Sequence, residues 1–130
     1  MEEQQKKPTV YLIDGSNYVY RAFYAIRELT NSKGFPTNAI YGFTNMLMRL
    51  IRECRPSHLA VVFDSPGPTF RRLAYAEYKA TRKAMPDDLA VQIPAIKDVI
   101  RGFSIPVIER EGLEADDIIG ALAVRFSREN

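Results

Sequence analysis

The sequence predicts an α/β fold: a parallel sheet with helices layered on both of its faces. Three observations carry that reading. Apolar runs at 9–13, 59–63 and 105–108 are continuous rather than alternating, the pattern of strands buried on both faces. Stretches of helical periodicity separate them in the order β-α-β-α-β-α, which is how parallel strands are connected. The first two runs each finish on an aspartate, Asp14 and Asp64, at the strand ends outside which open α/β sheets bind ligands.

The elements follow in order. Residues 1–8 are a polar, disordered tail ending at Pro8, and 9–130 form the domain. The first strand is broken by Asp14-Gly15-Ser16-Asn17, which reads as a tight turn. A helix over 18–29 follows, and Ser16 or Asn17 can cap it. Residues 30–37, with Asn31, Gly34 and Pro36, are a loop. Ala39, Ile40, Phe43, Met46, Leu47, Leu50, Ile51 and Cys54 then recur at helical spacing, with Thr37 or Asn38 as cap and Pro56 just past the end. Cys54 lies on that apolar face and reads as inert core. His58 opens the second strand as a structural residue, and Ser65-Pro66-Gly67-Pro68 is a loop.

Residues 69–83 break the pattern. Arg71, Tyr75, Tyr78, Lys79 and Arg82 share one helix face that is basic and aromatic where a core helix would be aliphatic. A third apolar helix carries Leu89, Ile93, Ile96, Ile100 and Phe103 on one side. Asp87 or Asp88 can cap it, and Pro94 kinks it or marks its true first turn. After the third strand, a last helix runs from about Glu114 to the end.

Composition narrows the function classes. A chain of 130 residues, 46% hydrophobic and 26% charged, can bury one core and stay soluble. A net charge of +2 does not announce a nucleic-acid binder, so that signal must come from charge placement. The single cysteine excludes an intrachain disulfide, and no Cys/His spacing suits zinc. No signal peptide or membrane-length apolar run is present, and a reducing cytosol fits.

The chemistry concentrates in carboxylates. Glu114, Asp116 and Asp117 fall within four residues at the head of the last helix. Parallel neighbouring strands would bring them to the sheet edge that carries Asp14 and Asp64. Taken singly, each has a plainer reading: Glu and Asp cap helices, and Asp-Gly after a strand makes a turn. Acids at three strand ends of one chain favour a cation among them, and hard oxygen donors without His or Cys suit Mg²⁺ or Mn²⁺. The 69–83 face complements this, since Arg and Lys bind phosphate while Tyr and Phe stack on unpaired bases; its plainer reading is a solvated helix. Arg21 can aim at the same phosphate or pair with a site carboxylate. Together these suggest phosphodiester hydrolysis with two ions about 4 Å apart.

The stretches VYLIDGSNYVYRAFYA, VVFDSPGPTFRRLAYAEYKATR and GLEADDIIGALA resemble the N-terminal part of the 5′–3′ exonuclease domain of bacterial DNA polymerase I. That domain belongs to the flap-endonuclease superfamily, with a PIN-like (resolvase-like) fold. The resemblance spans residues 10–125. It implies metal ligands at Asp14, Asp64, Glu114, Asp116 and Asp117. It implies Tyr20 and Arg21 near the scissile phosphate, and Phe70, Arg71, Tyr75 and Tyr78 on DNA, with Lys79 and Arg82 stabilising charge on the phosphate. The activity implied is removal of 5′ nucleotides or flaps in replication and repair, on DNA with 5′ ends, flaps or nicks.

The resemblance also implies further aspartates and a helix–hairpin–helix-like element beyond residue 130. The domain is therefore expected to be truncated, with the second ion incomplete, the isolated chain weak or inactive, polymerase domains C-terminal in the parent, and a monomeric state. Two alternatives stand beside the nuclease: a non-catalytic branched-DNA-binding module of the same fold, and a phosphotransferase with Asp14 as nucleophile. The latter ranks last because its usual second aspartate falls at position 16, which is Ser16.

Overall fold

A computed structural model of the chain describes residues 8–65 and 85–129. Residues 1–7 of the expected tail and the basic, aromatic face with Phe70, Arg71, Tyr75, Tyr78, Lys79 and Arg82 lie outside the described residues.

Strand β1 (Val10–Asp14) pairs in parallel with β2 (His58–Val62), from Val10 opposite His58 to Asp14 opposite Val62. Strand β3 (Val107–Ile108) runs parallel along the other side of β2, so the order is β1-β2-β3. The central place of β2 accounts for its unbroken apolar run. Val61 and Val62 are both fully buried, yet they enter different cores, because successive strand side chains point to opposite faces.

Val61 joins the larger core with Ile13, Val19, Phe43, Leu89, Ile96 and Ile100. Helices α1 (Gly15–Ala25), α2 (Asn38–Cys54), the short α3 (Asp87–Ala90) and α4 (Ile93–Gly102) build it on that face. Fully burying Phe43, Leu89, Ile96 and Ile100 is worth about 1.5–3 kcal/mol each over leaving them exposed. Val62 joins Ala115 and Ile118 of α5 (Ala115–Glu129) on the opposite face. The three-layer α/β architecture with a parallel sheet is therefore present.

Several local details differ from the sequence reading. The expected turn at 14–17 is the start of α1: Asp14 is its N-cap, and the carboxylate Oδ1 accepts from the Asn17 N–H at 3.1 Å. That helix stops at Ala25, where Asn38 Nδ2 donates to the carbonyls of Phe23 and Ile26. Asn38 thus faces back to α1, and Thr37, at the N-cap position of α2, makes no side-chain capping bond. Gln92 supplies the cap from across the fold: its Oε1 accepts from the Ala39 and Ile40 N–H groups at 2.9 and 3.1 Å.

The single helix expected near 89–103 is two helices, with buried Gln92 at the junction and Pro94 in the first turn of α4. Asp87 and Asp88 occupy the first turn of α3 behind Pro86 and do not cap it. Phe103 lies past the end of α4 and is 42% exposed. Cys54 is exposed rather than core: it is the last residue of α2, and its thiol lies beside the Tyr11 hydroxyl.

Candidate metal centre

The parallel register puts the ends of β1 and β2 side by side. Asp14 closes β1 and half-buried Asp64 follows β2 by two residues. The loop after β3 brings the head of α5 to the same edge. The Phe63 N–H donates to the Ile108 carbonyl at 2.8 Å, the Ser65 N–H to the Leu113 carbonyl at 3.0 Å, and the Gly112 N–H to Ser65 Oγ at 3.3 Å. Asp64 Oδ1 then accepts from the Ala115 N–H at 2.7 Å. Asp64 thereby caps α5, where the helix dipole favours negative charge.

Asp14 reports the crowding. Burial pushes its carboxyl above the ordinary carboxylate range; the Asn17 N–H opposes this, while the charges of Asp116 and Asp64 and a hydrogen bond with Asp116 add to it. Asp64 and Asp116, both expected as ligands, thus lie within electrostatic reach of Asp14, a third. Glu114 is buried at the start of α5, and its carbonyl accepts from the Asp117 and Ile118 N–H groups at 3.1 and 3.2 Å. Asp116 is exposed and Asp117 half-buried in the first turn.

The donor set fits a hard divalent cation in its chemistry: carboxylate oxygens of like charge, gathered at one sheet edge. As the side chains stand, no group of three ligand-type residues among those described is close enough to hold an ion.

Tyr20 packs partly against the main core from α1. Arg21 is exposed, with its guanidinium carbon 5.8 Å from the centre of the Tyr18 ring. Among the described residues Arg21 forms no ion pair with a site carboxylate. Lys79, Arg82, Phe70, Arg71, Tyr75 and Tyr78 lie outside the described residues.

Three contributors carried no ligand signal in the sequence. The Asp64 N–H donates to Ser16 Oγ at 3.0 Å. Ser65 pins the loop before α5. Gly15 lets the head of α1 close on β2: a Cβ there would lie 2.7 Å from Val61 Cγ1 and 2.8 Å from Phe63 Cζ. The Asp-Gly-Ser triplet was the one available hint of this crossing.

Comparison with known proteins identifies relatives of the chain. A family model described as the 5′–3′ exonuclease N-terminal resolvase-like domain matches residues 9–130. A 5′–3′ exonuclease of Aquifex aeolicus is 53% identical over 120 residues, which are 92% of this chain and 42% of that protein. DNA polymerase I of Caldicellulosiruptor bescii is 50% identical over 115 residues, 88% of this chain and 14% of that one. The chain thus spans about two-fifths of the exonuclease relative and a far smaller share of the polymerase. Among solved structures, T5 5′-exonuclease with bound zinc superposes with a TM-score of 0.52 at 21% identity, over 88% of this chain and 45% of that one. At that identity the likeness concerns the fold.

Proposed function

Since the chain belongs to the family of 5′–3′ exonuclease N-terminal resolvase-like domains, we propose that it forms the carboxylate half of a divalent-metal-dependent 5′ nuclease site acting on DNA. The observation that supports the reading is the placement of Asp14, Asp64 and the head of α5, which carries Asp116, at the carboxyl edge of a parallel sheet, with the Ala115 N–H tying α5 to the Asp64 carboxylate. Asp14, Asp64, Glu114, Asp116 and Asp117 hold Mg²⁺ or Mn²⁺. Bound there, the ions supply an activated water and stabilise the leaving oxygen of the phosphodiester. Arg21 is exposed on the second turn of α1 after Asp14 and can reach a phosphate at the same edge. Tyr20 stands beside it. Lys79 and Arg82 neutralise the phosphate from the 69–83 segment, whose Phe70, Arg71, Tyr75 and Tyr78 track the strand.

The substrate class is DNA with 5′ ends, flaps or nicks, and the isolated chain turns it over weakly. The test is cleavage of a 5′-labelled flap duplex in Mg²⁺ and in Mn²⁺, with Asp116→Ala as control. Slow cleavage that disappears in the variant supports the reading. Cleavage equal in both proteins rejects it. Binding of branched DNA that is salt-dependent but never yields product, in either metal, favours the non-catalytic module.

A further inference from the structure

Two serine hydroxyls stitch the β1 and β2 segments together, one at each end. At the site end, the Asp64 N–H donates to Ser16 Oγ at 3.0 Å. At the opposite end, the Thr9 N–H donates to Ser57 Oγ at 3.2 Å. Both bonds join residues 48 apart in sequence, and their chemistry is the same. They differ in place: only the Ser16 bond ends on a residue of the carboxylate cluster.

Ser16 stands two residues after Asp14, in the first turn of the helix that Asp14 caps. That turn has little room to move, because the Gly15 main chain lies against Val61 and Phe63. Asp64 is consequently held from two directions. Ser16 holds its main-chain N–H from the β1 side, and the Ala115 N–H holds its carboxylate from the α5 side. If the Ser16 hydroxyl is removed, the carboxylate bond remains while the main chain behind it is freed. The bonds of Phe63 and Ser65 to the 108–113 segment still anchor the neighbouring residues, so the fold should survive the change.

We propose that Ser16 is a positioning residue of the site: its hydroxyl, through the Asp64 N–H, sets the spacing between the Asp14 and Asp64 carboxylates and with it the affinity for a divalent cation. This inference rests on the metal reading above. Ser16 need not touch the ion; it acts on the main chain that carries one ligand, as outer partners of metal ligands do.

The experiment is a Mn²⁺ titration of the chain, following the free ion by electron paramagnetic resonance and stability by thermal melting. Ser57→Ala serves as the matched control, since it deletes the same kind of bond between the same strands. Ser16→Ala is expected to weaken Mn²⁺ binding about tenfold, in the range that outer-shell substitutions cost. Ser16→Thr, which keeps the hydroxyl, restores it, and Ser57→Ala binds as the unchanged protein does. Undiminished binding by Ser16→Ala overturns the inference. So does an equal loss in Ser57→Ala, which would signal general loosening of the strands. An unchanged chain that binds no Mn²⁺ overturns the metal reading itself, an outcome distinct from both.

Discussion

Replacing Gln92 with leucine is expected to cost the fold about 3 kcal/mol, a large part of the 5–15 kcal/mol typical of a domain. Gln92 is fully buried between α3 and α4. Its Oε1 accepts from the Ala39 and Ile40 N–H groups at 2.9 and 3.1 Å, and its Nε2 donates to Asn38 Oδ1 at 2.9 Å and to the Asp88 carbonyl at 2.8 Å. Each such bond is worth about 0.5–1.5 kcal/mol net, and a buried group left unpaired costs about 1–3 kcal/mol. Leucine leaves two N–H groups at the head of α2 without acceptors. Its own apolar burial returns about 1–2 kcal/mol, and water can reach the partly exposed Asp88 carbonyl, which sets the net figure. Urea unfolding followed by far-UV circular dichroism reads it out, as a midpoint lowered by about 1–2 M at unchanged slope. Gln92→Glu should also destabilise: a carboxylate can still accept from α2 but cannot donate to Asn38 or Asp88, and it buries a charge. A Gln92→Leu loss under about 1 kcal/mol, below even the net worth of these bonds, would refute the idea that this side chain caps α2 and joins three helices.

Other consequences are equally direct. Asp14→Asn keeps a good N-cap for α1 while removing one of the crowded charges; the metal-free variant should melt no lower than the unchanged chain, yet gain nothing from added Mn²⁺. The unchanged chain, in contrast, should gain about 2.7 kcal/mol at Mn²⁺ a hundredfold above its Kd and lose it again on adding EDTA, a cycle visible by thermal melting. Gly15→Ala drives a methyl into Val61 and Phe63 and should cost about 1–3 kcal/mol in urea unfolding; a neutral result would mean that α1 can lift from β2 freely. Cys54 is exposed, so a thiol reagent should label it in the native chain without denaturant, and labelling only after unfolding would contradict its placement.

Much of the architecture was legible because it is written in local periodicity. The continuous run at 59–63 marks a strand with a core on each side, and Val61 and Val62 occupy those two cores. Phe43 and Leu47 fall on the buried face of α2 as their spacing requires. The same logic failed where periodicity is indifferent to context. Cys54 continues the apolar stripe of α2, but it is the last residue of that helix and is exposed. Phe103 continues the stripe of α4 from beyond its last turn.

The sequence by itself determined the class of the fold, the order of its elements and the kind of chemistry available: acids at the ends of parallel strands, with no sulfur or imidazole among them. Tertiary structure decided which of those groups meet and what holds them. The Ser16–Asp64 bond spans 48 residues, Asp64–Ala115 spans 51 and Gln92–Ala39 spans 53. The reason is physical. Burial pattern is set residue by residue as each element turns its apolar side inward, whereas a hydrogen bond near 3 Å between distant segments depends on strand register and helix packing together, and no local pattern encodes either.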